Sequence, residues 1–447
     1  MKMQFKSIFT AALLGATITL ADNNSDNTDI PSSCTIGSKA TATAQSDLDK
    51  IANCQTLVGN LTITGELDSA ALNNVEVLKG SLVLKNATEL NNFSADNLKA
   101  ITGSLTLNDL TTLTSASFRS LKRVDTIDMV TLPAISNFIT DLQSANNILV
   151  SDTALRTVDG FSTLKKVNVL NINNNRFLTS FNSDLRSVVD VLDFSFNGQE
   201  AEISFDDLIW ANNITIRGVQ EASLSSLKYI NASLGFINNT ISKINMSKLK
   251  QVGRSLIIDS NSELTSADFS NLHGTENGDF IITNNPKLKK IDGFKKFNVA
   301  LGAITITGSY DELDLPKLRV VSYNATFITT SSIFSCFEIE ELQKMSVFDG
   351  DSFICKTGAN SSSKNVSSIP SSSSSEMVSS IASTSSSSSE KVSSITSSKD
   401  SKNSETKSLT DASSSSSTSK SEGFAVQNLV PGTSFVGVLS AIMAALL

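Results

Sequence analysis

The chain has 447 residues, four cysteines, one histidine and a formal net charge of −8. That balance gives no basic surface of the kind that holds nucleic acid. The lone histidine, His273, has no Ser and Asp partners in recognisable motif context, which excludes a motif-bearing catalytic triad.

Residues 1–21 carry Lys2 and Lys6, then an apolar run from Ile8 to Leu20, and close on Thr19-Leu20-Ala21. This is the layout of a cleaved secretory signal, and its apolar core is too short for a membrane span.

From there a pair of apolar residues two places apart returns every 20 to 24 residues. The first members are Leu61, Leu82, Leu105, Ile127, Ile148, Leu170, Leu192, Ile214, Leu234, Leu256, Phe280, Ile304 and Ala325. Strand side chains alternate between faces, so each pair predicts one short strand with its apolar face inward. A period in the twenties is the signature of a stacked solenoid, in which no single rung buries its own face. The expected fold is therefore mainly β, a leucine-rich-repeat-like β-solenoid over residues 22–359.

Each rung has a second apolar cluster on its return path, as in Leu178-Thr-Ser-Phe181 and Leu264-Thr-Ser-Ala-Asp-Phe269. Asn173, Asn174, Asn238, Asn239, Asn284 and Asn285 follow the strands, where side-chain amides can bond the backbone of a tight turn. Richness in Ser, Thr, Asn and Val argues against a helical array.

The cysteines bracket the repeats: Cys34 and Cys54 before the first full rung, Cys336 and Cys355 after the last. Sequence alone allows three pairings. A solenoid holds its ends far apart, so pairing within each end, Cys34 with Cys54 and Cys336 with Cys355, is expected to staple the two caps. A zinc site would need all four thiols together, and no cofactor is expected.

Eleven Asn-x-Ser/Thr sequons are present, and eight lie in the repeats: Asn60, Asn86, Asn92, Asn213, Asn231, Asn238, Asn245 and Asn324. A secretory signal makes them usable for N-glycosylation. Asn60, Asn213 and Asn324 each stand one residue before an inward position, so their side chains are expected to point outward from one sheet. Glycans there would screen that sheet and leave flanks and loops as partner surfaces. Ser104 and Ser255 share this column, and replacing either with Arg is expected to cost little stability.

The same outward column, and the positions between the inward pairs, contain no aromatic residue, so this face offers no stacking platform for sugars. Trp210, just before the Ile214 rung, reads as a packing residue and His273 as a solvated turn residue. Asp206/Asp207 and Glu338/Glu340/Glu341 are the carboxylate groups that a glycan-cleaving enzyme could use, and they read as solvated loops.

Residues 360–423 are dominated by serine, with runs at 371–375 and 385–389. Too little apolar surface is present to offset the entropy of ordering, which predicts a disordered, O-glycosylated stalk. The small residues of Ser421-Glu422-Gly423 precede a spacer with Pro431 and Gly432 and an apolar stretch from Phe435 to Leu447. That order predicts a glycosylphosphatidylinositol (GPI) signal, with Gly423 joined to lipid, Ser421 as second choice, and residues 424–447 removed.

Gly80-Ser-Leu-Val-Leu84, Val158-Asp-Gly-Phe161, Gly59-Asn-Leu-Thr-Ile63 and Asn231-Ala-Ser-Leu-Gly-Phe-Ile-Asn-Asn239 together resemble the receptor L-domain class of leucine-rich repeats. With the Ser-rich tail and both end signals, the whole chain looks like the fungal GPI-anchored cell-wall glycoproteins of the extracellular-mutant/sporulation-specific family. The resemblance implies a non-enzymatic protein of the outer plasma-membrane leaflet and wall, needed for wall organisation, with wall polysaccharide or mannoproteins as partners. It brings no catalytic residues. A wall-glycan transglycosidase and a ligand-binding surface receptor are the alternatives.

Overall fold

A computed structural model describes residues 30–358. The signal segment, the Ser-rich stretch, Gly423, Ser421 and residues 424–447 lie outside the described residues.

The described chain is a parallel β-solenoid. Every inward pair expected from the sequence is buried, from Leu61 and Ile63 to Ala325 and Phe327. Successive pairs are direct register partners: Leu61 with Leu82, Leu105 with Ile127, Leu192 with Ile214, Phe280 with Ile304. The identical two-residue phase in each rung sets this register, because a slip of one residue would turn every apolar side chain to water.

Two further strands extend the column beyond the repeats. Thr35–Ala42 pairs Ala40 with Leu61, and Phe353–Lys356 pairs Phe353 with Ala325. Each carries or adjoins a cystine: Cys34–Cys54 spans a Cα separation of 5.6 Å and Cys336–Cys355 one of 6.0 Å. The short helices Gln45–Asp49 and Phe337–Lys344 add buried Leu48 and Ile339 over the two ends. The Gln45 amide also closes an edge strand, accepting from the Ala71 N–H at 2.8 Å and donating to its carbonyl at 3.0 Å.

Most rungs bend within the main sheet. The middle ones run as single strands, such as Ala100–Asn108 and Trp210–Arg217, whereas later ones break into two arms, as in Gln251–Val252 and Leu256–Asp259. At the bend the backbones of neighbouring rungs approach closely. A Cβ on Gly59 would stand 2.2 Å from the Gly37 carbonyl oxygen, and its φ of +121° also favours glycine.

The return path is built of short strands rather than helices. Ser69–Ala71, Asn92–Ser94, Ser115–Ser117 and Asn137–Ile139 form one small parallel sheet, and Ser180–Asn182, Ala201–Ser204 and Val219–Ser223 another. Between them sits the 3-10 turn Asp159–Phe161. Phe93, Phe118, Phe138 and Phe161 form a phenylalanine spine, with ring centroids 5.5 to 5.9 Å apart.

Beyond each strand the chain turns through a left-handed residue: Asn86, Asp109, Thr131, Asp152, Asn174, Phe196, Asn238, Ser260 and Asn284 all have φ between 52° and 58°. The next residue carries the asparagine ladder. Asn175, Asn197, Asn239, Asn261 and Asn285 are buried. The Asn175, Asn239 and Asn261 N–H groups donate to the amide oxygens of Asn197, Asn261 and Asn285 at 3.1, 3.3 and 2.9 Å. Asn173, expected in the turn, instead ends the strand Lys166–Asn173, and the other expected turn asparagines divide into two jobs. Asn174, Asn238 and Asn284 supply the left-handed backbone, while Asn239 and Asn285 join Asn175, Asn197 and Asn261 in satisfying buried amides.

Candidate functional site

The column one residue before the strands is not a free solvent face. Where a rung breaks into two arms, the N–H at this position has lost its ladder partner, and the side chain of the preceding rung replaces it. Asn60 Oδ1 accepts from Ser81, Asn213 Oδ1 from Ser233, Ser233 Oγ from Ser255, Ser255 Oγ from Asp279, Asp279 Oδ1 from Ala303 and Asn324 Oδ1 from Ser352, at 2.8 to 3.4 Å. This corrects the expectation that Ser255→Arg is neutral, since the new side chain would leave Asp279 without its acceptor.

The sequon asparagines are accessible. Asn60, Asn86, Asn92, Asn231, Asn238, Asn245 and Asn324 are exposed and Asn213 is half-buried. Among the described residues, the Nδ2 groups of Asn213 and Asn324 have no hydrogen-bond acceptor while their Oδ1 atoms hold the next rung.

The two carboxylates whose pKa burial raises do not form a catalytic pair. Burial raises the pKa of Asp128, whose Oδ1 has no partner, and also that of Asp193, where the Ser195 hydroxyl and the Arg217 guanidinium oppose it. Both lie between inward pairs on one sheet, but three rungs apart, which is about 14 Å at the spacing of parallel strands. Glycoside hydrolysis requires carboxyl groups about 5–9.5 Å apart. At Asp206 burial acts upward, yet the hydroxyls of Ser223, Ser225 and Ser204 and the Ser225 N–H outweigh it and hold the group at about 2, opposite to the shift a general acid needs. Glu341 is paired with Lys344 at the surface of the helix Phe337–Lys344.

The net charge of −8 conceals a basic ridge. The residue after the last buried leucine of each return leg, or after Phe297 in one of them, forms a backbone-linked column, with Lys122 donating to Lys99, Ile209 to Arg186, Lys228 to Ile209, Lys250 to Lys228, His273 to Lys250, Asn298 to His273 and Arg319 to Asn298. In the first half the lysines are neutralised: Lys99 pairs with Glu76, Lys122 with Asp141 and Lys165 with Asp184. In the second half, among the described residues, Arg186, Lys228, Lys248, Lys250, Lys317 and Arg319 enter no ion pair.

Two shallow hollows open on that half. One is lined by Arg186, Asp207, Ile209, Ser226, Lys228 and Lys248, the other by His273, Lys296, Asn298, Lys317 and Arg319. His273 is thus an exposed turn residue, with Nδ1 3.2 Å from the Lys250 carbonyl oxygen. One residue beyond Ile209 and Lys228 stand Trp210 and Tyr229, register partners on the outer face of the first arm. Trp210 is half-buried and Tyr229 38% exposed, so the sheet carries an aromatic pair on an arm where the sequence reading expected packing alone. Among the described residues no cluster of His, Cys, Asp and Glu could hold a metal ion, and no helix is long and apolar enough to cross a membrane.

No protein-family model and no solved structure matches the chain. Curated relatives do. Cell wall mannoprotein PST1 of Saccharomyces cerevisiae is 46% identical over 332 residues, 74% of each chain. Cell surface GPI-anchored protein ECM33 of Candida albicans is 33% identical over 372 residues, 82% of this chain and 87% of that one. Sporulation-specific protein 2 of Saccharomyces cerevisiae is 31% identical over 320 residues, 70% of this chain and 63% of that one. The repeat phase, the capped solenoid and these relatives agree: the chain belongs to the fungal ECM33 and sporulation-specific family of cell-wall glycoproteins, found at the outer face of the plasma membrane and in the wall.

Proposed function

We propose that this protein organises the fungal cell wall as a non-enzymatic scaffold. The observation that carries the reading is the single inward column from Ala40 to Phe353, closed at each end by a cystine and a short helix. Among the described residues the two hollows are shallow, and the carboxylates whose pKa burial raises, Asp128 and Asp193, stand too far apart to cut a glycosidic bond. A receptor would need a further segment or partner to carry a signal across the membrane.

In this reading a GPI lipid joins the chain at Gly423, with Ser421 as second choice, and residues 360–423 hold the solenoid away from the bilayer. N-glycans sit on Asn60, Asn86, Asn92, Asn213, Asn231, Asn238, Asn245 and Asn324. At Asn213 and Asn324 the sugar leaves through Nδ2, so Oδ1 keeps its bond to the next rung. Wall polysaccharides or mannoproteins are the partners.

Incubation of the purified protein with β-glucan, chitin and mannan, scored for both retention and chain length, tests this. Retention on at least one of these, without change in chain length, is expected. Shortened or rejoined glycans at turnover rates would replace the scaffold with a transglycosidase.

A further inference from the structure

We propose that the unpaired half of the basic ridge is a binding surface for a phosphate-bearing glycan chain, laid along the solenoid axis. The proposal rests on the wall-scaffold reading for where such a chain would be met, and on the ridge itself for its chemistry.

The ridge is linear by construction. Each of its residues bonds through its backbone to the one a rung before, so side chains repeat at the strand spacing. From Arg186 to Arg319 is six rungs, about 29 Å, and between Ile209 and Asn298, the middle column residues of the two hollows, four rungs, about 19 Å. A ligand that meets both hollows must be extended and carry several like charges. Compact anions would satisfy one hollow only.

The charge is specific to this half. The same column in rungs further back places an acidic partner against each of Lys99, Lys122 and Lys165, which shows that the fold readily neutralises these positions. In the second half, Asp207 is the one carboxylate lining the first hollow, against Arg186, Lys228 and Lys248. The second hollow has none against Lys296, Lys317 and Arg319. Lys296 Nζ donates to the neutral Asn271 Oδ1 at 2.6 Å, whereas among the described residues the Arg186, Lys228, Lys248, Lys317 and Arg319 head groups have no acceptor, and phosphate oxygens satisfy both types. Neighbouring Trp210 and Tyr229 add aromatic surface of the kind sugars stack on, which separates a glycan from a bare polyphosphate.

Phosphomannan and the same mannan stripped of phosphate are the probes, titrated against the purified full-length protein. Phosphomannan should bind and neutral mannan should not. Raising salt from about 50 to about 300 mM should weaken binding severalfold as the Debye length contracts. Lys248→Glu/Lys250→Glu and Lys317→Glu/Arg319→Glu should each lose about tenfold, because both pairs are exposed and their removal leaves packing intact. Lys99→Gln/Lys122→Gln, on the neutralised half, should change affinity less than about twofold. Circular dichroism melts should match the parent for all three. Equal affinity for neutral mannan, indifference to the two charge reversals, or binding to phosphatidylserine vesicles in place of phosphomannan would overturn the proposal. Any of these would leave the scaffold reading standing, since that reading turns on absent glycan cleavage.

Discussion

Ser255 Oγ accepts the backbone N–H of Asp279, one rung further along, at 3.1 Å. The bond exists because the rung is broken between Gly274–Thr275 and Phe280–Thr283, leaving that N–H outside the ladder. Ser255→Ala should therefore cost about 1 kcal/mol, the net worth of one hydrogen bond. Ser255→Arg should cost at least as much, because a Cβ-side neighbour, Gly278, already packs against Ser255. Denaturant unfolding of both variants is the check, and midpoints equal to the parent would remove the side-chain ladder from the account.

Phe196 holds φ at 55° in a column otherwise filled mainly by Asn, Asp, Ser and Gly. Its ring is 52% exposed and has the Arg217 guanidinium 5.9 Å from its centroid. A bulky residue in this conformation stores about 1–3 kcal/mol of strain. Phe196→Asn should raise the melting temperature, less whatever the loss of the exposed cation–π contact costs. A lower melting temperature would show that the ring holds the turn together.

Asp128 gives a pH-dependent prediction with a definite sign. Burial raises its folded pKa above the unfolded value, so ionisation at neutral pH opposes folding. Asp128→Asn should stabilise the protein at pH 7, and its advantage should shrink as pH falls through the folded pKa and the parent takes up its proton. Asp206 acts the other way. Its folded pKa of about 2 lies below the ordinary carboxylate value of 3.8, so its contribution is present above the unfolded pKa and lost as pH falls from there toward 2. Paired melts of each Asn variant with the parent from pH 7 down to about pH 3 separate the two signs.

Removing Cys34–Cys54 by Cys34→Ser/Cys54→Ser frees the strand Thr35–Ala42 from the end of the sheet. The closed loop has a sequence separation of 20, which corresponds to about 3 kcal/mol in the chain-entropy model. Lower secreted yield and a lower unfolding midpoint are expected, with the Cys336–Cys355 pair giving the same result at the other end. Full yield with an unchanged midpoint would mean that the helix Gln45–Asp49 caps the core alone.

The inward pairs were legible because period-two alternation needs no three-dimensional frame, and every pair from Leu61/Ile63 to Ala325/Phe327 is buried. Other features were not. Asn174 and Asn175 are neighbours of the same type, and only the turn geometry tells the left-handed residue from the ladder residue. Ser255 reads as an outward side chain until the break in its rung is known. Trp210 and Tyr229 lie on the first arm of the sheet, upstream of the inward pairs, and only the pairing of rungs puts them side by side. The ridge was hidden by the net charge and by distance along the chain: Lys228, Lys250 and Arg319 are scattered in sequence, and only the stacking of rungs puts them in one column.

The most direct measurement is complementation of a wall-defective null strain by a triple variant, Asp128→Asn/Asp193→Asn/Asp207→Asn, with surface display measured in parallel. These carboxylates are the ones that burial or the hollow could make chemically active, so a scaffold keeps its function without them. The account predicts normal display and full rescue of wall integrity. Normal display without rescue would contradict it and place glycan chemistry on this solenoid.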